Sequence, residues 1–236
     1  MAVPFFYTER YQLANKFIEL DEVTSKHIAQ VLRMKAGEPL QLTDGNGILL
    51  ICKISISHKH KSVVEILETK QTAIRSNKIS IGISLLKNTS RFEWFLEKAT
   101  EIGVAEIIPM ICDRTEKQNF RKERMQSICI SALLQSQQCY LPKLQAPIKF
   151  ENLMAEKFET SQKLIAHCSE TQKQHLNQAI ISTTKNKIIL IGPEGDFTNK
   201  EIELALQHKF IPVSLGDTRL RTETAGIVAA IMLCCI

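Results

Sequence analysis

Four features are missing from this 236-residue sequence, and each absence argues against a class of protein or site. No segment approaches the roughly 18 consecutive apolar residues of a membrane-spanning helix, and the first ten residues lack the pattern of a secretory leader, so we expect a cytosolic protein. The seven cysteines are odd in number and lack a CxxC pair, which argues against a disulfide framework or a zinc ribbon. His27, His58 and His60 form no metal-ligand pattern, so no metal site is predicted.

The composition is that of an ordinary globular protein. Hydrophobic residues make up 44% and charged residues 23%, enough for a sizeable core, and the length favours two unequal domains. The net charge is +5, and residues 73–149 carry 12 Lys and Arg against 7 Asp and Glu. An anionic partner such as nucleic acid would explain this excess, although an ordinary solvated surface would explain it equally well.

The first 70 residues have the pattern of short strands joined by close turns. Strands are predicted at residues 4–7, 17–20, 40–43, 48–56 and 62–67. Asp44-Gly45-Asn46-Gly47 is a strong hairpin signal between two of them, and the whole pattern predicts a small β-barrel. Thr24 or Ser25 is expected to begin a helix that buries Ile28, Val31 and Leu32 and ends before Gly37.

A polar segment without periodicity at residues 68–77 marks the predicted domain boundary. Beyond it, strands are predicted at residues 78–86, 105–111, 163–167 and 187–191, and helices at residues 121–138 and 174–181. A helix capped by Ser90 and ended by Gly103 joins the first two strands, because Phe92, Phe95, Leu96, Ala99 and Ile102 have helical spacing. The alternation predicts an α/β fold with a parallel sheet.

The most informative segment is Ile191-Gly192-Pro193-Glu194-Gly195, a loop that follows a buried strand. Thr198 and Glu201 have the spacing of a capping box, so the loop leads into a helix. A second strand, at residues 210–215, ends at Gly216. Ligands bind at the carboxyl ends of strands in open α/β sheets, so we expect two glycine loops that lie beside each other to form a ligand site.

The first loop, taken alone, could belong to a different kind of site or to none. A dinucleotide site would use Asp217 as its ribose-binding acid, but the G-x-G-x-x-G pattern requires glycine where Glu194 stands. A phosphate-binding P-loop is excluded because no Gly-Lys-Ser/Thr follows Gly195. A tight strand-to-helix turn without a ligand stays open for this loop alone.

Taken together, these residues resemble the RsmE family, the small-subunit ribosomal RNA uracil-N3 methyltransferases. The motifs that carry the resemblance lie at residues 191–195, 215–216, 220–225, 98–104, 108–109, 114, 31–37 and 44–47. The resemblance implies a PUA-like β-barrel over residues 1–72 that helps to hold RNA. It implies a SPOUT methyltransferase domain over residues 73–236, a mostly parallel sheet with helices on both faces and a C-terminal trefoil knot.

The resemblance also implies a reaction and its components. The cofactor would be S-adenosyl-L-methionine, and the substrate would be N3 of a specific uridine in 16S ribosomal RNA or in the small ribosomal subunit. The protein would be a homodimer with a shared active site. The helix predicted from Thr222 to Ile236 is apolar almost all round, which fits a dimer interface, although burial within its own domain is the alternative.

The same resemblance assigns roles to individual residues. Catalytic candidates are Glu194, Arg221 and Glu223. Arg221 would stabilise negative charge on a base oxygen, whereas helix capping or loop hydrogen bonding is the alternative for the two glutamates. Cofactor-binding candidates are Ile191, Gly192, Pro193, Gly195, Leu215, Gly216, Leu220, Thr222 and Ala225. Candidates for contact with nucleic acid are chosen for their positive charge and not from the resemblance: Arg33, Lys35, Arg114, Arg121, Lys122 and Arg124. Each of them has a plain solvated surface as its alternative.

The chain departs from the family pattern at several positions. Asp196 stands where a second consecutive glycine is usual, Thr218 and Arg219 stand where an arginine and an aliphatic residue are usual, and residues 134–138 differ from an acidic-glutamine-serine run. These departures leave two alternatives open. One is a SPOUT methyltransferase for another RNA position, and the other is a catalytically silent RNA-binding relative.

Overall fold

A computed structural model describes residues 3–12, 14–73, 77–156, 158, 161–169 and 173–235. The chain divides into two compact units, one of Met1–Ile74 with Leu133–Leu141 and the other of Arg75–Ala132 with Pro142–Ile236. Within the described residues, no helix combines the length and the apolar character that a membrane span requires. The seven cysteines are free thiols, and Cys52, Cys112, Cys129 and Cys139 are buried.

The first unit is built on a curled five-stranded sheet. Its strands are β1 (Phe5–Tyr7), β2 (Phe17–Glu19), β3 (Pro39–Thr43), β4 (Ile48–Ile56) and β5 (Val63–Gln71). Their order is β1-β3-β4-β5-β2, with β1 parallel to β3 and the other pairs antiparallel. Alternate side chains enter one core, among them Leu40, Leu42, Leu50, Cys52 and Ile54. The predicted small barrel-like fold is confirmed.

The predicted hairpin between β3 and β4 is also confirmed. The Asp44 side chain accepts hydrogen bonds from the backbone N–H groups of Asn46 at 2.8 Å and Ile48 at 3.0 Å. Gly45 and Gly47 have φ values of 74° and 97°, which glycine adopts without strain. A Cβ atom on Gly47 would overlap the Tyr140 ring, so this turn needs glycine for space as well.

The helix predicted near residues 24–32 is wrong in its start and in its buried face. Helix α1 (Glu22–Lys26) is capped by Asp21, whose side chain accepts a hydrogen bond from the Thr24 N–H at 2.9 Å. A π-helical turn at His27–Val31 follows it. This turn has a longer period than an α-helix, so residues three or four apart no longer share a face. Ile28 is buried, whereas Val31 is 66% exposed and Leu32 is 42% exposed.

The aperiodic polar segment at residues 68–77, where the domain boundary is predicted, is partly strand, because β5 continues to Gln71 through its pairing with β4. The side chains at residues 68–71 are polar and exposed on both sides, so they show no alternating pattern in the sequence. The strand continues there because pairing uses the backbone. The structure of residues 74–76, within the same predicted segment, lies outside the described residues.

The second unit is an α/β fold with an all-parallel sheet, as predicted. Its strands are β6 (Lys78–Ser84), β7 (Glu106–Ile111), β8 (Lys143–Leu144), β9 (Ile148–Lys149), β10 (Ser161–Ala166), β11 (Gln174–His175), β12 (Asn186–Ile191) and β13 (Ile211–Ser214). Their order is β11-β13-β10-β12-β6-β7-β8, and β9 also pairs with β7. The remaining helices are α2 (Thr89–Ile102), α3 (Lys122–Gln135), α4 (Phe150–Met154), α5 (Leu176–Ala179), α6 (Asn199–Gln207) and α7 (Thr222–Cys234).

Successive strand residues point to opposite sides of this sheet, so both faces carry apolar side chains. Helices cover both faces. On one face, a Cβ atom on Gly226 of α7 would lie 2.7 Å from the ring of Phe95 in α2 and 3.1 Å from Ile83 of β6. On the other face, a Cβ atom on Gly82 of β6 would lie 2.7 Å from Leu190 and 3.7 Å from Leu153 of α4. Both faces are therefore closely packed.

Two predictions in this unit need correction. Asn88, not Ser90, caps α2, because its side chain accepts a hydrogen bond from the Ser90 N–H at 2.9 Å; Gly103 ends the helix at a φ of 92° as predicted. The helix predicted at residues 174–181 is reduced to α5, because β11 uses Gln174 and His175 to extend the sheet. The short elements β8, β9 and α4 were not predicted, since they contain too few residues to show a period.

Candidate functional site

A cavity of about 670 Å³ opens at the carboxyl ends of the strands in the second unit, a size within the range of about 300–1,000 Å³ typical of small-molecule sites. Its walls come from the loops after β10, β12 and β13 and from the first turns of α7. The position is the one that ligands occupy in open α/β sheets.

The expectation that the two glycine loops follow neighbouring strands is wrong. Strand β10 lies between β12 and β13 and pairs with both of them. Strand order depends on which distant segments pair, and local sequence does not encode it. The consequence is a third wall, because the end of β10 brings Ala166, His167 and Cys168 to the cavity.

Eight of the nine cofactor-binding candidates line the cavity: Ile191, Gly192, Pro193, Leu215, Gly216, Leu220, Thr222 and Ala225. Gly195 is not among the lining residues. It contacts Arg114, whose Nη1 donates a hydrogen bond to the Gly195 carbonyl at 2.6 Å, and a Cβ atom on Gly195 would lie 3.2 Å from Arg114 Cδ. The role of Gly195 would therefore be to let the loop pass close to Arg114.

The three catalytic candidates have different surroundings. Arg221 is exposed, lines the cavity and immediately precedes α7, where its carbonyl accepts a hydrogen bond from the Ala225 N–H at 2.8 Å. Glu194 also lines the cavity, and its Oε1 accepts a hydrogen bond from the backbone N–H of Lys87 at 3.1 Å. This contact is the loop hydrogen bonding that was the alternative to catalysis.

Glu223 does not line the cavity. It is buried, its Oε1 lies 3.6 Å from Arg91 Nε, and its Oε2 has no hydrogen-bond partner among the described residues. Its position beside Arg91 favours a structural role within the packing of α2 and α7 over contact with a bound molecule.

The first loop is held at both ends. Gly192 permits a tight turn, because a Cβ atom there would lie 3.0 Å from the Phe197 ring and 3.2 Å from the Phe197 backbone nitrogen. The predicted capping box is confirmed, with the Thr198 side chain and the Glu201 carboxylate each bonded to the other's backbone N–H. Glu201 Oε1 additionally accepts a hydrogen bond from the Asp113 N–H at 3.0 Å, which anchors the start of α6.

Asp196 stands where the family pattern usually has glycine, and its backbone angle and hydrogen bonds show how aspartate fits there. Its φ is 64°, in the left-handed region where aspartate is one of the few tolerated non-glycine residues. One carboxylate oxygen accepts a hydrogen bond from the Cys168 N–H and the other from the Phe197 N–H, both at 2.8 Å. Asp196 thus joins the loop after β12 to the loop after β10 on two walls of the cavity.

We predict that Asp196→Ala weakens binding of S-adenosylmethionine, the cofactor that the resemblance implies, by about 10- to 100-fold, because alanine loses both bonds and meets a cost of roughly 1–2 kcal/mol at positive φ. Asp196→Gly should lose less, since glycine accepts this φ, and Asp196→Asn should lose least. Isothermal titration of the three variants measures this order. Wild-type affinity in Asp196→Ala would reject the proposed link between the loops.

His167 and Lys173 line the cavity but were not among the predicted site residues. Burial lowers the pKa of His167, the positive charge of Lys173 lowers it further, and Asp196 acts in the opposite direction. A sequence signal was available for His167, because it ends a predicted strand and such ends form the ligand edge of an α/β sheet. Lys173 carries no comparable signal.

The six nucleic-acid-binding candidates are all exposed. Arg33 and Lys35 belong to the first unit, and Arg114, Arg121, Lys122 and Arg124 belong to the second. Arg124 is engaged in an ion pair, with 2.9 Å between its Nη2 and Glu93 Oε2, and this bond lowers the pKa of Glu93. Arg121, just before α3, and Lys122, the first residue of α3, are therefore the better candidates for contacts with phosphate groups.

Comparison with known families matches both parts of the chain. The profile of the RNA methyltransferase domain matches residues 74–234, and the profile of the RNA methyltransferase PUA domain matches residues 20–67. Ribosomal RNA small subunit methyltransferase E from Mesomycoplasma hyopneumoniae is 31% identical over 228 residues, which covers 94% of this chain and 95% of that protein. This chain belongs to the RsmE family.

Other members of the RsmE family agree along most of their length. The protein of the same name from Buchnera aphidicola (Acyrthosiphon pisum) is 28% identical over 240 residues, covering 96% of this chain and 91% of that protein. A crystal structure of ribosomal RNA small subunit methyltransferase E from Neisseria gonorrhoeae bound to S-adenosyl methionine has a TM-score of 0.87 and 29% identity. That alignment covers 98% of this chain and 97% of the crystallised one.

Proposed function

We propose that this protein transfers a methyl group from S-adenosyl-L-methionine to N3 of a specific uridine in 16S ribosomal RNA. One observation carries the proposal: the two loops that contain the family motifs, residues 191–195 and 215–225, meet at one cavity. Residues 73–236 would perform the reaction and residues 1–72 would help to hold RNA. The enzyme would act in the cytoplasm, where ribosomal RNA is located, and the trefoil knot stays a prediction from the resemblance.

The cavity has groups that suit this cofactor. Ile191, Leu215 and Leu220 provide apolar contacts for an adenosine, and Gly192 and Gly216 leave backbone groups accessible beside them. His167 and Lys173, from the segment after β10, add polar groups to the cavity wall.

S-adenosyl-L-methionine, when bound, supplies an electrophilic methyl group. N3 of uracil carries a weakly acidic proton, so the protein must orient the base, accept the proton and stabilise negative charge on the base. Arg221 is suited to the last role, because its guanidinium is exposed at the cavity and is always charged. N3 lies on the Watson–Crick edge, so we expect an unpaired or displaced uridine as the substrate.

Purified protein, labelled S-adenosylmethionine and small ribosomal subunits test the reaction directly. We expect one methyl group in each 16S RNA molecule, and nuclease digestion with mass spectrometry should identify N3-methyluridine. Methylation of a different nucleotide would favour the alternative of another RNA target. RNA binding without methyl transfer would favour the silent relative.

RNA affinity should depend on basic residues of both units. Residues 1–72 carry 9 Lys and Arg against 8 Asp and Glu, so their net charge alone is too small to hold a long RNA, whereas residues 73–149 carry 12 against 7. We predict that the pairs Arg33→Ala with Lys35→Ala and Arg121→Ala with Lys122→Ala each weaken binding. Each pair should also reduce the salt dependence, by a slope of roughly 0.7 for every lost phosphate contact.

Filter binding between low and moderate salt measures both quantities in the full-length protein. Lys185→Ala with Lys200→Ala is a matched control, because both lysines are exposed and neither lines the cavity. If one of the test pairs left both affinity and salt slope unchanged, the contribution of that unit to RNA binding would be rejected.

We also propose that the protein is a homodimer that uses α7. Gly226, Ala229, Ala230 and Leu233 are buried within the unit, whereas Ile231 on the same helix is 47% exposed. Of the predicted apolar face, Ile236 lies outside the described residues. The exposed part of an apolar helix would be covered by a second copy.

Light scattering should therefore give twice the 26.7 kDa mass of one chain at micromolar concentration. Ile231→Lys should shift the protein to monomer, because a lysine charge is costly to bury at an interface. Leu206→Lys on α6 is the control, since Leu206 is 45% exposed and lies on a different helix. A wild-type monomer that methylates RNA at full rate would exclude the dimer.

A further inference from the structure

A short turn of the first unit leaves two large aliphatic side chains in solvent. The π-helical turn His27–Val31 shifts the helical period, so Val31 and Leu32 are exposed although the sequence pattern places them in the core. This arrangement gives up apolar burial that would stabilise the fold. Because π-helical turns occur frequently at functional sites and neighbouring exposed apolar side chains mark interaction surfaces, the turn is a candidate binding surface.

Arg33 continues this surface in an unusual backbone conformation. Its φ is 54°, in the left-handed region that non-glycine residues rarely adopt. The chain then returns to the core, where Met34 is buried and its N–H donates a hydrogen bond to the Ile28 carbonyl at 3.0 Å. Backbone strain of this kind persists where the surrounding structure holds it, and it is common at binding sites. We call Val31, Leu32 and Arg33 the exposed turn.

The exposed turn is held in place from both sides by hydrogen bonds. Before it in the chain, the Ser25 hydroxyl accepts a hydrogen bond from the Ser62 N–H at 2.9 Å, and both serines are fully buried. After it, the Ser57 hydroxyl donates a hydrogen bond to the Met34 carbonyl at 2.7 Å. The turn is therefore preorganised, which reduces the entropy that is lost when a partner binds.

The charge around the exposed turn favours an anionic partner. Residues 22–37 contain three Lys and Arg residues, which are Lys26, Arg33 and Lys35. All three are exposed, and among the described residues none of them takes part in an ion pair. The one acidic residue in this range, Glu22, already contacts His60, with 2.7 Å between Glu22 Oε1 and His60 Nδ1. Aliphatic side chains beside unpaired positive charges suit a molecule with both an apolar face and a phosphate, as in a nucleotide of RNA.

We propose that the exposed turn binds the base of an unpaired nucleotide of the substrate RNA, with the base face on Val31 and Leu32 and the phosphate at Arg33. This inference rests on the proposed function, which makes RNA the substrate. Base faces in a duplex are covered by their stacked neighbours, so only an unpaired base can lay its apolar face on aliphatic side chains. The turn therefore selects unpaired RNA through apolar contact, in addition to the phosphate contacts that hold any RNA.

Filter binding of the full-length protein to oligouridine and to a paired RNA duplex of equal length tests this selection. Val31→Ser combined with Leu32→Ser should weaken oligouridine binding by about 10-fold through the loss of aliphatic contact area, while duplex affinity stays unchanged. The salt slope should also stay unchanged, because no phosphate contact is lost. Arg33→Ala should instead reduce the salt slope for oligouridine by roughly 0.7.

Leu67→Ser on β5 is the matched control, because Leu67 is a 55% exposed aliphatic residue of the same unit. It should leave both affinities unchanged. Val31→Thr keeps the branched shape of valine and adds only a hydroxyl group, so it should show a smaller loss for oligouridine in the same direction. Thermal unfolding should be unchanged in each variant, since all the substituted side chains are exposed.

Wild-type oligouridine affinity in the variant with serine at both positions would overturn the inference, and so would an equal loss with the duplex. Failure of the wild-type protein to bind oligouridine would do the same. A change from dimer to monomer in the double variant, measured by light scattering, would assign the surface to a second copy instead. If the wild-type protein showed this selection but transferred no methyl group to small ribosomal subunits, the proposed function would fail and the exposed turn would remain an RNA-binding surface.

Discussion

Gly195→Val should reduce S-adenosylmethionine affinity by about 10- to 100-fold. A Cβ atom at this position would already lie 3.2 Å from Arg114 Cδ, and valine adds two methyl groups beyond it. Arg114 cannot retreat freely, because its Nη1 is bonded to the Gly195 carbonyl at 2.6 Å. Overpacking costs typically 1–3 kcal/mol, and relief by movement of the loop would displace the neighbouring cavity residues Pro193 and Glu194.

Isothermal titration of the folded variant measures this effect, with circular dichroism as the check of folding. Gly195→Ala should lose much less affinity than Gly195→Val, because a single Cβ atom 3.2 Å from Arg114 Cδ requires a smaller shift than valine with its two further methyl groups. Combining Gly195→Val with Arg114→Ala should recover much of the binding, since the obstructing side chain is removed. Retention of wild-type affinity by Gly195→Val alone would reject the proposed coupling of Gly195 to the cavity residues Pro193 and Glu194.

Arg221→Ala should lower the rate of methyl transfer by about 100- to 1,000-fold while S-adenosylmethionine affinity changes little. Losing one positioned group that stabilises developing negative charge typically has an effect of this size. Arg221→Lys should recover only a small part, because lysine lacks the planar guanidinium with its fixed pair of donors. Arg221 is suited to this selective effect because it is exposed at the cavity and lies outside the body of α7.

Single-turnover methyl transfer with saturating cofactor and RNA separates this effect from binding. Lys200→Ala, an exposed substitution at the start of α6, should leave the rate unchanged. A wild-type rate in Arg221→Ala would remove Arg221 from the reaction. A matching loss of cofactor affinity would instead assign Arg221 to binding.

Several local features could be predicted because their signals are confined to a few neighbouring residues. The hairpin at residues 44–47, the capping box of Thr198 and Glu201 and the end of α2 at Gly103 were all predicted and are all present. Helix starts were less predictable. Asp21 and Asn88 took the capping roles assigned to nearby hydroxyl residues, since several polar side chains close together can each make the same bond.

The candidate site was predictable only in part. The loops after β12 and β13 could be identified from their glycines and apolar neighbours, and eight of the nine proposed cofactor contacts line one cavity. Glu223 belongs to the same motif, yet helix α7 places its buried carboxylate 3.6 Å from the partly exposed Arg91 and away from the cavity. Adjacent residues of a helix point in different directions, so a motif alone does not specify which of its side chains reach a bound molecule.

The amino-acid sequence by itself determined the strand-loop-helix units, the two glycine loops and the basic middle of the chain, because local periodicity, turn chemistry and charge produce them. Only the tertiary structure decided that β10 lies between β12 and β13, which brings His167 and Lys173 to the cavity and lets Asp196 bond to Cys168. The physical reason is that strand order depends on backbone pairing between distant segments and on burial of both sheet faces. No short stretch of sequence contains that information.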